Sequence, residues 1–275
     1  MAFAPTLTKI SAPGEFPRVE VFFNFTGAVL EATIYRVADG REYKVRGAVS
    51  MTVNGPVARI DTETPFGVPV TYRAQYRTAA GLLWSDTAEI ILDEAGTWVH
   101  NPLDPGGAVL VDFHKDAGKK IQRPVTGEVY YPEGRRVGVV IGGGRGGIRK
   151  APLDIYTHTL VDADKFRDML GDYANATVPV LCWRLGAGLR LRYPRPFFTA
   201  VLDAEETELN NHIGRSDILW NVQGDEVSPP APGLFVPLLT YADLNAFYAT
   251  YGSMNADNAS YSDINRRYDI AGTAG

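Results

Sequence analysis

Alternation of apolar and polar residues dominates the first third of the chain and predicts short β-strands. Residues 69–78, with the sequence PVTYRAQYRT, place every second side chain on one face, which is typical of a strand with one buried side. Turn signals such as Asn54-Gly55 separate the runs. Strands repeated at this spacing predict a β-sandwich. The predicted strands of this region cover residues 19–25, 32–37, 48–53, 56–61, 69–78 and 88–92.

A second strand-rich region follows a segment in which the alternation stops. Residues 96–107 contain two prolines and three glycines, and we predict the junction between two domains there. The one convincing helix beyond it begins with Asp162 as its cap and places Phe166, Met169 and Leu170 on one face. The predicted strands of the second region cover residues 108–113, 135–141, 152–161, 179–185, 196–206 and 217–227.

The C-terminal residues contain a repeat. Residues 240–252 read TYADLNAFYATYG and residues 260–272 read SYSDINRRYDIAG, so each copy predicts a helix that begins at Thr240 or Ser260 and ends at a glycine. Because helices of this length are marginal alone in water, their aromatic stripe must pack on the chain's own body or on another subunit. The side chains that we predict as subunit-interface candidates are Tyr241, Leu244, Tyr248, Tyr251, Tyr261, Ile264 and Tyr268.

These patterns together predict a mainly β protein. Its predicted parts are an N-terminal immunoglobulin- or fibronectin-like sandwich, a second β-barrel or sandwich body with one helix, and a C-terminal helical arm. A proline-rich linker, SPPAPG, is predicted to separate the arm from the second body. The contents of 28 Gly, 18 Pro and 14 Tyr agree with a protein rich in strands and turns. The predicted domains are residues 1–95, the junction 96–107, a β domain 108–230 and the linker and two-helix arm 231–275.

Composition narrows the classes of partner. A net charge of -5 is too modest for nucleic-acid binding over the whole surface, and no segment is apolar enough to predict a membrane span. The amino-terminal residues do not have the pattern of a signal peptide, so we expect the protein to stay in the cytoplasm of the cell that makes it or to leave by a route other than secretion. The only cysteine, Cys182, lies in an apolar run and is predicted to be a core residue.

Charged residues of opposite sign are segregated along the second region. Five basic residues lie between 135 and 150 with no acidic residue among them, and Arg184, Arg190, Arg192 and Arg195 form a second basic group. Such segregation suits head-to-tail contact between identical subunits, and equally a solvated surface. The interface candidates that follow from charge are Arg135, Arg136, Arg145, Arg149, Lys150, Asp203, Glu205, Glu206 and Glu208.

Residues 142–147 match the glycine pattern of a dinucleotide-binding loop. That site needs a helix to begin directly after the glycines, whereas here Pro152 and a strand-like run follow. We therefore interpret the segment as a flexible basic hairpin tip, and we expect no cofactor.

Other candidate chemistry is weak. Asp112, His114 and Asp116 alternate and could share one face of a strand as metal ligands, but their surroundings favour a strand end that passes into a polar turn. No pattern for a nucleophilic or paired-carboxylate mechanism is present, so we expect no enzymatic activity. Trp183 and Trp220 are predicted core residues, and His100 is assigned to the junction, beside Trp98 as a candidate wedge between domains.

Several segments resemble known proteins. Residues 72–86, YRAQYRTAAGLLWSD, resemble the penultimate strand and last turn of a fibronectin type III domain, with Tyr72 as a core or corner residue. The junction TWVHNPLDP, the strand and helix series of residues 161–205, the DEVSPP segment at 225–230 and the YxDLxxxY tail together resemble minor tail proteins of long-tailed bacteriophages of actinobacteria. Residues 161–205 are similar in layout to the hub domain of distal tail proteins, although here the sandwich comes first and the arm is longer.

This resemblance implies a structural role in a phage tail tip. The implied partners are further copies of the chain in a three- or sixfold ring, the tail tube and other tail-tip proteins, with the tyrosine-rich helices docked on neighbours. The implied location is the virion tail, after assembly in the host cytoplasm. The alternative is a carbohydrate-binding module that recognises host cell-wall glycan through paired aromatic rings on the sandwich. A hydrolase of wall polymer is the third and weakest interpretation.

Overall fold

The computed structural model describes residues 3–12, 14–171, 179–209, 216–233, 239–267 and 270. Strands make up most of the regular structure and lie in several sheets, so the prediction of a mainly β protein is confirmed. The strands divide into two groups, which enclose separate hydrophobic clusters.

The first group of strands forms two sheets. One has the order β1-β2-β6; the other has the order β4-β3-β7-β8, with β5 paired to β3 and β9 to β7. Their apolar faces meet in one core, so this group is a sandwich. The strands are β1 (Thr6–Ile10), β2 (Arg18–Phe23), β3 (Val29–Ala38), β4 (Arg41–Lys44), β5 (Met51–Thr52), β6 (Val57–Asp61), β7 (Pro69–Thr78), β8 (Gly81–Trp84) and β9 (Ala88–Ile91).

The alternation seen in the sequence determines which side of each strand is buried. Along β7, Val70, Tyr72, Ala74 and Tyr76 are buried and the residues between them are more exposed. The Tyr72 hydroxyl lies 2.8 Å from Asp61 Oδ2 and donates to it, and is 2.7 Å from the Thr64 hydroxyl. The prediction of Tyr72 as a core or corner residue is confirmed.

The second group of strands closes into a barrel. Pairing runs β10-β11-β15-β18-β17-β16 and returns to β10, and each neighbouring pair is antiparallel. A short strand, β14, also pairs with β18, whereas β12 and β13 pair with each other. The strands are β10 (Thr97–Asn101), β11 (Asp104–Phe113), β12 (Val125–Tyr130), β13 (Val139–Arg145), β14 (Ala151–Pro152), β15 (Ile155–Thr157), β16 (Val180–Arg184), β17 (Phe197–Glu208) and β18 (Ile218–Glu226).

Helix α1 (Leu160–Leu170) packs against this barrel. Its Phe166 ring lies 5.0 Å from the ring of Trp220 and 6.5 Å from that of Trp183, which are both buried as predicted. The prediction that the helix is capped by Asp162 is wrong. The Thr159 hydroxyl accepts the Asp162 N–H at 3.0 Å, so the helix begins two residues before Asp162.

The segment predicted as the junction, 96–107, contains β10 and the beginning of β11. The assignment of His100 to a linker is therefore wrong, since His100 is a fully buried residue of β10. Every residue of β10 is buried, and a strand covered on both faces shows no alternation that could reveal it. Trp98, on the same strand, packs into the core cluster of the sandwich, with its ring 5.5 Å from that of Phe16.

A buried arginine of the barrel contacts the sandwich backbone. Arg184 Nε donates to the Thr64 carbonyl at 2.7 Å, and Nη1 donates to the Pro17 carbonyl. The guanidinium also lies 4.0 Å from the ring centre of Phe66 and 5.1 Å from that of Phe16. Burial lowers the pKa of Arg184 to about 10, so the side chain is still charged at neutral pH.

The backbones of the sandwich and the barrel lie close together near Arg184. Gly67 has a φ of +67°, and a Cβ built there would lie 2.7 Å from Cβ of Ala187 in the loop after β16. Glycine is therefore required at residue 67 both by its conformation and by the neighbouring barrel loop. Arg195 adds a hydrogen bond of 3.0 Å from Nη1 to the Phe66 carbonyl.

Further charged groups are buried on the sandwich side. Arg36 Nη1 lies 2.6 Å from Asp61 Oδ1, and Arg46 Nε lies 2.7 Å from Glu63 Oε1. Burial alone would raise the pKa of Asp61, but the charge and hydrogen bonds of Arg36 lower it. Arg46 also donates to the carbonyls of Pro230 and Ala231, so it holds the proline-rich linker against the sandwich.

His100 lies within reach of this positive charge. Burial lowers its pKa well below the usual value, and the charges of Arg184, Arg46 and Arg36 lower it further. Its ring is 5.0 Å from that of Phe16, and neither ring nitrogen has a hydrogen-bond partner among the described residues. His100 is therefore neutral in the folded chain at neutral pH.

We predict that Arg184→Met destabilises the protein by about 2–4 kcal/mol, because two buried carbonyls then lack their charged donor. Urea unfolding followed by tryptophan fluorescence measures the loss. The matched control is Arg190→Met, which removes the same charge from an exposed position and should change the free energy of unfolding by no more than about 0.5 kcal/mol. Equal effects of the two substitutions would contradict this account of the contact.

We predict that His100 makes the protein less stable in mild acid. The unfolded chain binds a proton at His100 below a pH of about 6.5, whereas the folded chain does not, so stability falls by up to about 1.4 kcal/mol per pH unit below that value. His100→Leu should remove this part of the decline. The measurement is the free energy of unfolding in urea at pH 7 and pH 5.

His158 supplies a control with the opposite sign. Hydrogen bonds to Asp217 and Asp112 raise its pKa, so its stabilisation is present below the unfolded pKa and is lost as the pH rises through the folded value. The free energy of unfolding should therefore fall more steeply with decreasing pH in His158→Asn than in the parent chain, and less steeply in His100→Leu. If the free energy of unfolding of His100→Leu falls between pH 7 and pH 5 as steeply as that of the parent chain, the proposed role of His100 is refuted.

Candidate assembly surfaces

The C-terminal residues form three short helices, and not the two that the repeat predicts. They are α2 (Tyr241–Phe247), α3 (Tyr251–Asp257) and α4 (Tyr261–Ile264). The N-caps Thr240 and Ser260 are confirmed, because each hydroxyl accepts the N–H of the aspartate three residues later. The predicted stop at Gly252 is wrong, and Tyr268 and Gly272 lie outside the described residues.

The true repeat is ten residues long. TYADLNAFYA, TYGSMNADNA and SYSDINRRYD align from residues 240, 250 and 260, with a hydroxyl residue, Tyr, an aliphatic residue and Asn at positions 1, 2, 5 and 6. Thr250 forms a complete capping box with Ser253, so a new helix begins where a longer first helix was expected. The sequence pattern did not predict the middle copy, because Ser253 and Met254 replace the aspartate and the branched residue of the other two copies.

The tyrosine-rich stripe divides between a small core and the surface. Leu244, Tyr248 and Ile264 are buried in one cluster within the C-terminal helices, where the Tyr248 hydroxyl accepts from Asn258 Nδ2 at 3.1 Å. By contrast, Tyr241, Tyr251 and Tyr261 are 84%, 73% and 84% exposed. The large exposed side chains of these helices are therefore the tyrosines at the second position of each repeat, together with the 50% exposed Phe247.

An ion pair holds the C-terminal helices against the sandwich. Arg266 Nε and Nη2 lie 2.6 and 2.7 Å from the two carboxylate oxygens of Glu20, a buried residue of β2. The Arg266 guanidinium also lies 5.2 Å from the ring centre of Phe22. Bidentate geometry of this kind fixes orientation as well as distance.

Strands β12 and β13 form a hairpin that is exposed along its whole length. Each strand pairs with the other alone among the described strands, and every residue of both is exposed. A two-stranded hairpin is marginally stable in water without a surface to cover it. Eight large apolar side chains of this hairpin and its turn are 41–77% exposed: Val125, Val129, Tyr130, Tyr131, Val137, Val139, Val140 and Ile141.

The glycine run does not form a phosphate-binding loop, because Gly142, Gly143 and Gly144 belong to strand β13 and Gly146 and Gly147 follow its end. Gly142 faces Gly127 across the hairpin, and a Cβ on Gly142 would lie 2.6 Å from the Thr126 carbonyl oxygen. The glycines therefore permit close strand approach at an irregularity in the register. The next helix, α1, begins only at Leu160, after two further strands.

The basic candidates lie at both ends of the hairpin. Arg135 and Arg136 are in its turn, whereas Arg145, Arg149 and Lys150 lie at its base. All five residues are exposed. The interpretation as a hairpin tip holds for the first two residues, and the glycine run lies in the strand and not at the tip.

The acidic candidates lie on the far half of β17. Asp203, Glu205, Glu206 and Glu208 are exposed, beside the 85% exposed Leu202. Strand β16 pairs only with residues 197–200, so from 203 onward β17 pairs with β18 alone within the described chain. This half of the strand is an edge with four carboxylates.

The second basic group is not one surface. Arg190 and Arg192 are exposed, whereas Arg184 is fully buried and Arg195 donates to the carbonyls of Phe66 and Leu189. Sequence reasoning missed this structural role because the sandwich carbonyls that accept from Arg184 lie more than a hundred residues away.

The candidate metal ligands of the sequence lie at the end of β11 and in the turn after it. Asp112 and Asp217 each lie 2.9 Å from a ring nitrogen of His158, and His114 and Asp116 lie in or next to the turn after β11. Within the described ranges, no group of three or more His, Cys, Asp or Glu side chains has an arrangement that would hold a metal ion. Among the helices of the described chain, none combines the length and hydrophobicity needed to cross a membrane.

No family model matches this chain, and no curated protein or solved structure is significantly similar to it.

We predict that trypsin cleaves the free chain first in the β12–β13 hairpin, after Arg135, Arg136 or Arg145, because an uncovered hairpin opens at little cost. Mass spectrometry of early digestion products measures the order of cleavage. Arg184, a buried arginine, should be cut only after global unfolding. First cleavage elsewhere in the described chain would show that the hairpin is stable without a covering surface.

Proposed function

We propose that this chain is a structural component of a bacteriophage tail tip. It assembles with copies of itself and with other tail proteins, and it joins the tail tube to the tip. The proposal combines the resemblance of the sequence with an architecture of a sandwich, a barrel carrying one helix, and capped C-terminal helices. In this interpretation the sandwich is fibronectin type III-like and the barrel is the hub domain. The C-terminal helices are the terminal element that meets neighbours, although in this structure the linker and the helices are held on the sandwich and are not the released arm that the sequence predicts.

The exposed β12–β13 hairpin is the observation that carries this proposal. A free monomer gains nothing from eight large apolar side chains in water, whereas a neighbouring protein that covers them gains their burial. The hairpin also leaves its strand edges open to pairing. A surface of this kind suits a part that is built into an assembly.

Charge complementarity favours a second copy of the chain as the neighbour. The basic residues of the hairpin, Arg135, Arg136 and Arg145, complement the acidic edge of β17. Because the two surfaces are different parts of one molecule, their contact is head-to-tail and generates a ring when its rotation closes. A three- or sixfold ring is the symmetry that the resemblance implies.

The competing proposal, a glycan-binding face on the sandwich, has less support. Tyr35 and Trp84 form a pair of rings on one sheet, with centres 5.2 Å apart. However, the Arg73 guanidinium lies 4.3 Å from the centre of the Trp84 ring and so occupies a ring face. A sugar would have to displace this contact.

We predict that two charge-reversed variants do not assemble when each is alone, and that they do assemble when they are mixed. One carries Arg135→Glu and Arg136→Glu; the other carries Glu205→Arg and Glu206→Arg. Each alone places like charges at every junction, whereas alternation in a mixture restores opposite charges throughout. Light scattering after gel filtration, at low and high salt, measures the mass of the parent chain, each variant and the mixture.

The mixture also distinguishes the two symmetries. An alternating ring closes with six subunits, but a ring of three leaves one junction between like charges, so only the sixfold ring is restored. The matched control reverses Arg190 and Arg192, which are exposed but lie outside both surfaces, and should leave the mass unchanged. A parent chain that is monomeric at every concentration, alone and with its tail neighbours, would overturn the proposed function.

A further inference from the structure

The C-terminal helices line an open cavity of about 250 Å³. All three exposed tyrosines line it, and Leu239, Leu244, Met254 and Ile264 contribute its apolar surface. The equivalent residues of successive repeats therefore converge on one site, because each repeat supplies its tyrosine and its aliphatic residue. We propose that this tyrosine cavity binds a single ring of a neutral saccharide.

The first argument is the shape and spacing of the aromatic groups. Tyr241, Tyr251 and Tyr261 make no ring contact with each other or with another described aromatic side chain, so their faces are open. Aromatic faces attract the polarised C–H groups on the apolar side of a sugar ring. Three rings around one cavity can contact a ligand from several sides.

The second argument is the absence of charge. Every residue that lines the cavity is uncharged among those the structure describes. The exposed side-chain amides of Asn245 and Asn265 also line it, and no hydrogen bond within the described chain engages them. Amide groups donate to and accept from hydroxyls, so this lining suits a neutral polyhydroxylated ligand and gives no counter-charge to an ionic one.

The third argument is size. The cavity is smaller than the pockets of about 300–1,000 Å³ that take drug-sized ligands, and its volume suits a single ring. A proline-rich peptide, which also binds aromatic surfaces, needs a longer groove for its repeating ridges. Size therefore favours the sugar over the peptide.

The test uses the full-length chain and does not depend on assembly. Saturation-transfer difference NMR is recorded with glucose, galactose, arabinose and N-acetylglucosamine, with glucuronate as the charged comparison and a proline-rich peptide as the alternative ligand. We expect saturation transfer to at least one neutral sugar and none to glucuronate. Affinity for the sugar that binds is then measured by titration calorimetry.

Variants locate the site. Tyr251→Ala should weaken binding about tenfold, whereas Tyr251→Phe, which keeps the ring, should stay within about threefold of the parent chain. Tyr131→Ala removes an exposed tyrosine of the hairpin and should have no effect. Circular dichroism confirms that each variant is folded, which is expected because both tyrosines are exposed.

The proposal is overturned if no neutral sugar of the panel binds, if Tyr251→Ala binds as well as the parent chain, or if the proline-rich peptide binds in its place. None of these results bears on the mass measurements that test ring assembly, so the two proposals fail separately.

Discussion

A positive charge enclosed between two β bodies determines how this molecule is arranged. Burying a guanidinium is expensive unless its donors are satisfied. Arg184 obtains acceptors for Nε and Nη1 from backbone carbonyls of the other body, whereas Nη2 has no partner among the described residues. Carbonyls held in a folded backbone tolerate little movement, so the contact specifies orientation as well as proximity. The close approach of Gly67 and Ala187 and the packing of Trp98 depend on the same arrangement. The sandwich and the barrel are thus joined by chemistry that belongs to neither core alone.

The sequence predicted the elements that have one buried face and missed those without such a pattern. Strand β7 was placed correctly at 69–78, because alternation marks a half-buried strand unambiguously. The segment that forms strand β10 was wrongly predicted as a junction, because burial on both faces removes the alternation. The burial of Tyr72 was predicted from one aromatic residue on the buried face of a strand. The partners of Arg184 could not be predicted, because contacts between residues so distant in sequence leave no local signal.

The candidate surfaces show the same division. Charged residues of the hairpin and of β17 were identified from composition alone, and they are exposed as a solvated or an interacting surface would require. The exposure of the hairpin's apolar side chains was not foreseen, because Val139 and Val140 have the appearance of a core strand. Helical spacing placed Leu244 and Tyr241 on one stripe, yet only packing among three short helices decides that the first is buried and the second is not.

The ten-residue period of the C-terminal helices has a consequence for how such a segment changes over generations. Each unit carries its own cap, its own aliphatic anchor and its own aromatic group, so insertion or loss of one whole unit preserves every local signal. Changes of any other length would interrupt the ten-residue period. Copy number is therefore a variable that slippage during replication can adjust in discrete steps, and the number of aromatic groups displayed would rise or fall with it.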